Sequence, residues 1–279
     1  MEGIIVGVDE SPYAQAALRW AASYATTTHE PITAVMAWGY IDQRHLEPDA
    51  PFDPEYSAAD AAEVLDQLVT RALGEDHGVR CVAPCDLPAS ALLEAAQGAS
   101  LLVVGARGVG GFKGLLLGSV SRRVLQEATC PVAVVRDAAE RPTGPIVVGL
   151  DGSEPSRRAL QWAVDHARRT GRHLVAIHAW RPPSTTSALP LPWRDPDVLA
   201  ERANRFLQQQ LRLVDTSGLA APVEARAVGD RPAAALVEAS CLASLVVVGA
   251  RGSGRLTGLT GSVSDQVSHH ATCPVVVVP

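Results

Sequence analysis

A glycine-rich phrase that ends in serines occurs twice in this chain, and its residue types suit the binding of a phosphate group. The two copies read GARG…GSVS and extend from Gly105 to Ser121 and from Gly249 to Ser264. Each copy follows an apolar run typical of a strand and precedes a short segment of helical character. Glycine lets the backbone approach a phosphate closely, and the amides and dipole at a helix N-terminus attract negative charge. The sequence therefore predicts one phosphate cradle in each half of the chain.

Each loop is framed by glycines, and the serines that follow stand at the start of a predicted helix. Their hydroxyls either cap the helix or contact a phosphate. Neither loop is a Walker A motif, because Gly-Lys-Ser/Thr does not occur, and neither is the G-x-G-x-x-G turn that follows a first strand. The candidate phosphate-binding residues are Gly105, Gly108, Gly118, Ser119 and Ser121 in the first half and Gly249, Gly252, Gly261, Ser262 and Ser264 in the second. Basic residues in both loops either add positive charge to the site or stay solvated: Arg107, Lys113, Arg251 and Arg255.

Carboxylates fall at the end of the first strand of each half. Asp9 in GVD and Asp151 in GLD are each followed by a turn into a helix. An aspartate at this position is either the N-cap of that helix or an acceptor for a ribose hydroxyl or an adenine amine. Ser11 and Ser153 compete for the cap. Because the same carboxylate recurs beside a phosphate loop in both halves, the ligand interpretation is favoured.

The second strands end in MAW and HAW, which place Ala37 and Ala179 at matching positions. The backbone N–H and C=O of these alanines can pair with the edge of a base, or the alanines are plain strand ends. We expect Trp38 and Trp180 to pack at the strand ends rather than to serve as stacking surfaces.

The two halves are copies of one pattern. Asp9 matches Asp151 at an offset of 142 residues, and Gly105 matches Gly249 at an offset of 144. A repeat of this length is far longer than the repeats of solenoids or propellers, so the halves are duplicated domains. The predicted domains are residues 1–136 and 145–279, joined by a linker at 137–144.

Each half alternates short apolar strands with helical segments in the order β-α-β-α-β-α-β-α-β. This alternation predicts an open parallel α/β sheet with helices on its faces. Ligands of such sheets bind beyond the carboxyl ends of the strands, where the strand order reverses. The predicted strands of the first half are Ile4–Val8, Ile32–Trp38, Val79–Ala83, Leu101–Gly105 and Val132–Val135.

Composition argues against several other classes of protein. The chain has 279 residues, is 47% hydrophobic and carries a net charge of −6, which gives no general attraction to nucleic acid or anionic lipid. No run reaches the roughly 20 apolar residues that span a bilayer, and the chain begins with a strand pattern rather than a signal peptide. We therefore expect a cytoplasmic protein that does not engage membranes. Its five cysteines predict neither a disulfide framework nor a metal site.

The spacing Gly105-x2-Gly108-x9-Gly118-Ser119 resembles the G-2x-G-9x-G-S/T motif of ATP-binding universal stress proteins. The segments VDESP and LDGSEPS, the MAW and HAW strand ends and the GSVS…TCPV tails resemble the same family. The likeness covers nearly the whole chain twice, as in tandem universal stress proteins of the actinobacterial type. It implies two tandem five-stranded parallel sheets in the order 3-2-1-4-5, with the Rossmann-like fold of the adenine nucleotide alpha hydrolases.

The resemblance also implies an ATP site in each half and leaves open whether Mg²⁺ accompanies the nucleotide. Asp9 and Asp151 would contact the nucleoside, Ala37 and Ala179 would meet adenine through their backbone, and the loop residues would hold the phosphates. Because last strands in this family commonly exchange contacts between units, the two halves are expected to form an internal pseudo-dimer. A homodimer and an unidentified protein partner stay open.

Two departures from the family pattern bear on these sites. Between Gly252 and Gly261 lie eight residues instead of nine, so the second cradle is one residue short. In the first half, Cys85 stands where the second half has Gly229, which brings a bulkier side chain near the first nucleotide mouth. Because loop length acts directly on phosphate geometry, the first site is the better candidate.

Three functions compete on these observations. The leading hypothesis is a nucleotide-dependent regulator of stress response or dormancy without dedicated catalysis, because neither half pairs a nucleophile with a base. The second is a slow ATPase or phosphotransfer enzyme on the same fold, which needs a positioned water and stabilisation of developing charge. The third is a nucleotide-free scaffold that dimerises and binds protein partners.

Overall fold

The computed structural model describes residues 2–39, 56–109, 116–136, 144–180, 196–250 and 261–279. The chain divides into two compact units, which we call unit 1 (Met1–Asp137) and unit 2 (Ala138–Pro279). Among the described residues, each unit contains five strands and four helices that alternate along the chain. Most of the predicted linker lies outside the described residues.

The strands of unit 1 form one parallel sheet in the order β3-β2-β1-β4-β5. Its strands are β1 (Ile4–Gly7), β2 (Ile32–Val35), β3 (Arg80–Val82), β4 (Leu101–Gly105) and β5 (Val132–Val135), and its helices are α1 (Pro12–Thr28), α2 (Ala58–Leu73), α3 (Pro88–Ala95) and α4 (Ser119–Glu127). The register places Ile4 of β1 beside Ile32 of β2 and Leu101 of β4. The parallel α/β fold and the strand order that the resemblance implied are therefore confirmed in this unit.

Unit 2 repeats the arrangement, with its strands in the order β8-β7-β6-β9-β10. Its strands are β6 (Ile146–Gly149), β7 (Leu174–Ala179), β8 (Glu224–Val228), β9 (Leu245–Gly249) and β10 (Val275–Val278), and its helices are α5 (Glu154–Thr170), α6 (Pro196–Leu211), α7 (Pro232–Ser240) and α8 (Ser262–His270). In sequence numbering within the unit this is again the order 3-2-1-4-5. The switch in strand order therefore falls between β1 and β4 in unit 1 and between β6 and β9 in unit 2.

Helices cover the sheet because its central strands are apolar on both faces. Residues 101–104 of β4 are all buried, as expected of a parallel strand between two helical layers. In unit 1, α1 contacts α2, and α3 contacts α4, which gives one pair of helices on each face. Each helix that follows the first strand begins with a serine cap and a proline in its first turn.

Glycines let helices approach the strands closely in both units. A Cβ at Gly7 would lie 2.9 Å from Leu92 of α3, and one at Gly149 would lie 2.8 Å from Leu236 of α7. Real Cβ atoms do not come so near, so a side chain at either position would displace the leucine that packs over the strand. The glycines that end β1 and β6 therefore have a role in packing, whether or not a ligand binds nearby.

The cysteines do not form disulfide bonds in this structure. All five cysteines are free thiols, and Cys130 and Cys273 are buried. Burial also raises the pKa of the Cys130 thiol. Among the helices that the structure describes, none combines the length and the apolar character needed to cross a bilayer.

Candidate functional site

The Asp9 carboxylate of unit 1 joins the end of β1 to the first glycine loop. Its Oδ1 accepts a hydrogen bond from the backbone N–H of Ser11 at 3.0 Å. Its Oδ2 accepts one from the backbone N–H of Val109 at 3.1 Å, across 100 residues of chain. The contact with the loop is close enough that a Cβ at Gly108 would overlap Asp9 Oδ2. The strand-end carboxylate and the glycine loop are therefore neighbours, as their positions in the sequence predicted.

The cap of α1 belongs to Ser11 and not to Asp9. The Ser11 hydroxyl accepts from the backbone N–H of Ala14 at 3.1 Å, which satisfies one of the unpaired amides of the first turn. The same hydroxyl donates to the backbone carbonyl of Arg107 at 3.2 Å. Of the two roles that the sequence left open for Asp9, the cap of α1 is therefore taken by Ser11.

Helix α4 begins beside the loop, and no side chain among the described residues caps its first amides. Gly118 is its N-cap and makes no side-chain hydrogen bond, whereas α1 has Ser11 in that place. The N–H of Gly118 donates to the carbonyl of Ala106 at 2.8 Å, which brings the two ends of the loop together. A helix N-terminus of this kind attracts an anion through its amides and its dipole.

Space for a ligand remains over Gly118. A Cβ built there would meet its nearest atom, the Cα of Arg107, at 3.5 Å, which is an ordinary contact. The backbone angles of Gly118, with φ of −74° and ψ of 159°, suit any residue. Protein packing therefore does not require glycine at this position, and the absence of a side chain leaves room beside the uncapped amides. Ser119, the next residue, is exposed at the same edge.

Two of the predicted phosphate residues of unit 1 have packing contacts inside the protein. A Cβ at Gly105 would lie 2.8 Å from the backbone carbon of Tyr13, so this glycine lets α1 cross the end of β4. Ser121 is buried, and its hydroxyl donates to the carbonyl of Gly105 at 2.6 Å. Both residues brace α4 and α1 against β4 from inside the protein, and neither side chain position faces the open edge.

Ala37 places a backbone N–H and C=O without protein partners among the described residues at the same edge of the sheet. The N–H groups of Met36 and Trp38 donate to the carbonyls of Val82 and Pro84, on the β3 side. Because alternate residues of a strand turn their N–H and C=O to opposite neighbours, those of Ala37 turn towards β1. The last hydrogen bond on that side joins Val8 N–H to Val35 C=O, and none among the described residues uses the backbone of Ala37. An adenine edge needs such a donor and acceptor pair.

Trp38 packs at the strand end, as predicted. It is 6% exposed, its indole Nε1 donates to the carbonyl of Ala83 at 3.0 Å, and its ring meets the edge of Tyr56 at a centroid distance of 5.5 Å. Burial raises the pKa of the Tyr56 hydroxyl to about 12, and the nearby Asp60 and Glu10 carboxylates add to the rise. Cys85 is exposed and pairs with Trp38 through a parallel bridge.

Two further charged groups, Arg107 and Glu10, follow the carboxyl ends of β4 and β1 in unit 1. The guanidinium of Arg107 lies over the ring of Tyr13, 5.6 Å from its centroid. The buried Nε of Arg107 has no hydrogen-bond partner among the described residues. Burial and the adjacent Asp9 raise the pKa of the Glu10 carboxyl. Arg107 is therefore held on an aromatic ring next to Gly108 and gives the first loop a fixed positive charge. From the sequence alone, this side chain could equally have been solvated.

In unit 2 the equivalent carboxylate also meets the capping serine. Asp151 Oδ1 accepts from the N–H of Ser153 at 3.0 Å and from its hydroxyl at 2.6 Å. The Ser153 hydroxyl accepts from the N–H of Ser156 at 3.2 Å and so caps α5. Between them, Gly152 has a φ of +82°, and a Cβ there would lie 2.8 Å from the ring of Phe206. Only glycine suits this position.

The second glycine loop is described only at its two ends. A Cβ at Gly249 would lie 2.7 Å from the backbone of Pro155, so this glycine packs as Gly105 does. The N–H of Gly261, the N-cap of α8, donates to the carbonyl of Ala250 at 2.7 Å. Ser264 is buried and donates to the carbonyls of Ala250 and Gly261, whereas Ser262 is exposed. Gly252, Arg251, Arg255 and the one-residue deletion lie outside the described residues, as does Lys113 of the first loop.

The end of β7 matches the end of β2 with different side chains. The N–H of Trp180 donates to Val228 C=O and that of Leu150 to Ile177 C=O, which again turns the backbone of Ala179 towards the first strand. His178 Nδ1 lies 2.8 Å from the carbonyl of Leu150, and its ring lies 4.4 Å from that of Phe206.

A glycine directly after β8 leaves room for the tryptophan ring in unit 2. A Cβ at Gly229 would lie 3.2 Å from the ring of Trp180, so a Cys85-like side chain would crowd the tryptophan of this unit. In unit 1 the indole of Trp38 is instead anchored on Ala83 C=O, and Cys85 is accommodated.

Sequence reasoning missed the loop amide of Val109 and the ring of Tyr13. The contacts of both residues cross about 100 residues of chain, so no local pattern marks them. A search of the described residues finds no group of three or more His, Cys, Asp or Glu side chains that could hold a metal ion.

Comparison with known proteins agrees with this architecture. The universal stress protein family matches residues 1–136 and 143–279. A universal stress protein of Mycolicibacterium smegmatis is 36% identical over 293 residues, which cover 99% of this chain and 96% of that protein. A universal stress protein of Mycobacterium tuberculosis H37Rv is 36% identical over 295 residues, which cover 99% of this chain and 95% of that protein. The crystal structure of a universal stress protein from Archaeoglobus fulgidus superposes with a TM-score of 0.71 at 21% identity, covering 99% of this chain and 97% of that one. The chain therefore belongs to the universal stress protein family and carries two copies of its domain.

Proposed function

We propose that this protein binds ATP and acts as a nucleotide-dependent regulator of stress response or dormancy, without dedicated catalysis. The observation that carries the proposal is the meeting of three groups at the carboxyl ends of β1, β2 and β4. These groups are the Asp9 carboxylate, the unused backbone edge of Ala37, and the amides of the first turn of α4 after Gly118, which no side chain among the described residues caps. Such a meeting at the switch in strand order is the general position of nucleotide sites in parallel α/β sheets.

The proposed pose follows from what each group can accept or donate. The α4 N-terminus at Gly118 and Ser119 would take the phosphates, because its amides carry positive charge. The backbone of Ala37 would pair with the adenine edge. Asp9 would accept from a ribose hydroxyl, since a carboxylate has about four acceptor positions and two amides use only part of them.

Unit 2 is proposed as a second site of the same design, with Asp151, Ala179, Gly252, Gly261 and Ser262 in the corresponding roles. Its phosphate loop is the shorter one, so we expect the tighter binding in unit 1. An internal pseudo-dimer of the two units, a homodimer and a protein partner remain predictions from the family resemblance.

Two measurements test the proposal. Purified protein is denatured and the supernatant is examined for released ATP or AMP, and stripped protein is titrated with ATP in a calorimeter with and without Mg²⁺. We expect saturable binding in the wild type and a large loss at the tighter site in Gly118→Val, which fills the space beside the α4 amides. Ser119→Ala keeps the backbone amides but removes a hydroxyl at the same site, so we expect a smaller loss. The control is Ser23→Ala, an exposed substitution in the C-terminal half of α1, which should bind as the wild type does.

A flat titration at millimolar ATP, together with no released nucleotide, would refute ATP binding and favour the nucleotide-free scaffold. Rapid Mg²⁺-dependent turnover that Asp9→Ala abolishes would instead identify an enzyme. Slow turnover that is unchanged by Asp9→Ala agrees with a regulator that holds its nucleotide.

A further inference from the structure

The start of the first glycine loop is fastened to the end of β1 by hydrogen bonds in both directions. Asp9 accepts from the loop amide of Val109, and Ser11 donates to the loop carbonyl of Arg107. Ser11 also donates its own N–H to Asp9, so the three bonds form one connected network. The first two bonds are not part of a local turn, because each joins segments about 100 residues apart.

The fastened segment is also one wall of the phosphate cradle. The atoms nearest to a Cβ at Gly118 are the Cα of Arg107 at 3.5 Å, the carbonyl of Ala106 at 3.6 Å and the N–H nitrogen of Gly108 at 3.7 Å. Any movement of Gly108 and Val109 therefore changes the space over the α4 amides. The Asp9 carboxylate presses against Gly108 and leaves no room for a side chain there.

We propose that Asp9 is a positioning residue that holds Gly108 and Val109 at the end of β1 and so shapes the phosphate cradle before a nucleotide binds. This inference rests on the proposed nucleotide binding and adds a role that a nucleoside contact would not require. The Val109 amide is engaged by protein, so it is not among the amides that take the phosphates. A bond from an amide to a carboxylate is charge-assisted, and a loop ordered in advance loses less entropy on binding.

Two substitutions disturb this contact from opposite sides. Asp9→Asn has one acceptor oxygen and one donor NH₂, so it can keep the bond from Ser11 or the bond from Val109, but not both. Gly108→Ala keeps the carboxylate and displaces it with a methyl group. The backbone at Gly108 is not in the positive-φ region, so alanine adds no strain of its own. Asp151→Asn makes the same change of charge in unit 2 and is the matched control.

Amide hydrogen exchange of ¹⁵N-labelled, nucleotide-free protein tests the contact directly. We expect the Val109 amide to exchange slowly in the wild type and at least about tenfold faster in Asp9→Asn and Gly108→Ala, the loss expected for one charge-assisted bond. Asp151→Asn should leave Val109 exchange unchanged. The buried β4 amides of Leu102 and Val103 serve as an internal reference for folding in every variant.

An ATP titration followed at the Ser119 amide then tests the consequence. We expect the apparent Kd of unit 1 to rise at least about tenfold in both Asp9→Asn and Gly108→Ala, although Gly108→Ala retains the carboxylate. Unprotected Val109 in the wild type, or equal protection in wild type and Asp9→Asn, overturns the inference. Faster exchange in both variants with unchanged ATP affinity overturns the shaping role. If the wild type binds no ATP, the proposed function fails while the exchange data still decide the contact.

Discussion

His166 makes the stability of unit 2 depend on pH in a way that can be calculated. Its side chain lies on α5 at 6% exposure and stacks on Trp162 at a ring-centroid distance of 5.2 Å. Burial lowers the pKa of His166 to about 4, and the neighbouring Arg169 and Arg172 charges add to the decrease. In an unfolded chain the pKa of the same imidazole is about 6.5. The folded state therefore holds the ring neutral where the unfolded state takes up a proton.

The sign and size of the effect follow from this difference. Above pH 6.5 both states are neutral, and the contribution of His166 to stability is complete. As the pH falls from 6.5 to 4, only the unfolded state gains a proton, so folding free energy is lost. The total is on the order of 3 kcal/mol, of which about 2 kcal/mol falls between pH 7 and pH 5.

The matched variant is His166→Phe, which keeps an aromatic ring and cannot titrate. Unit 1 supports this choice, because Tyr24 occupies the equivalent position and stacks on Trp20 at 5.5 Å. Urea denaturation of both proteins at several pH values gives the difference in unfolding free energy, from which the other titrating groups cancel. We expect the advantage of the wild type to shrink by about 2 kcal/mol from pH 7 to pH 5.

Titration of the His166 ring protons by NMR measures the folded pKa independently. A difference in unfolding free energy that is flat from pH 7 to pH 5, or one that grows as the pH falls, would contradict the reasoning. A ring that titrates near pH 6.5 in the folded protein would do the same.

Four substitutions test the division between packing and ligand roles. Gly105→Ala should lower the unfolding free energy by about 1 to 3 kcal/mol in urea, because its methyl group meets the α1 backbone, whereas Gly118→Ala should leave stability within about 0.5 kcal/mol and weaken ATP binding in a titration. Ser121→Ala should cost about 1 to 3 kcal/mol in urea, because it leaves a buried carbonyl without its donor. Gly152→Ala should lower the melting temperature through positive φ and a clash with Phe206.

A specific result would contradict the stability predictions for Gly105→Ala, Ser121→Ala and Gly152→Ala. A Gly105→Ala protein with unchanged stability would mean that α1 does not approach β4 as closely as 2.8 Å. For Ser121→Ala the control is Ser119→Ala, whose exposed hydroxyl should contribute little, so equal losses in the two variants would contradict the buried bond. A Gly152→Ala protein as stable as the wild type would contradict the left-handed backbone at that position.

The existence and start of strands β2, β4 and β5 were predictable, and the residue at which a strand ends was less so. The predicted ranges of β4 and β5 agree with the structure at both ends, because continuous apolar runs in a parallel sheet are buried on both faces. Strand β2 was predicted to reach Trp38, but it ends at Val35, and Trp38 joins the β3 side only through an isolated bridge to Cys85. A local apolar pattern does not record where hydrogen bonding to a neighbour stops.

Glycine was the ambiguous residue in the site. The pattern GARG…GSVS marked Gly105 and Gly118 alike, since close packing and close approach to a phosphate both demand a missing side chain. The structure separates them, because a Cβ at Gly105 would clash with Tyr13, whereas a Cβ at Gly118 would make only ordinary contacts. Ser121 was ambiguous for the same reason, and its hydroxyl is bonded inside the protein.

By itself the sequence determined the duplication, the alternating α/β pattern and the edge of each sheet at which Asp9, Ala37 and the glycine loop would gather. These features depend on local periodicity and on the rule that parallel strands end at one edge. Only the tertiary structure decided which group each polar atom contacts. Ser11 took the cap of α1, and Asp9 was left to bind the Val109 amide across 100 residues of chain. The physical reason is that a hydrogen bond selects its partner by distance in space, which the order of residues along the chain does not specify.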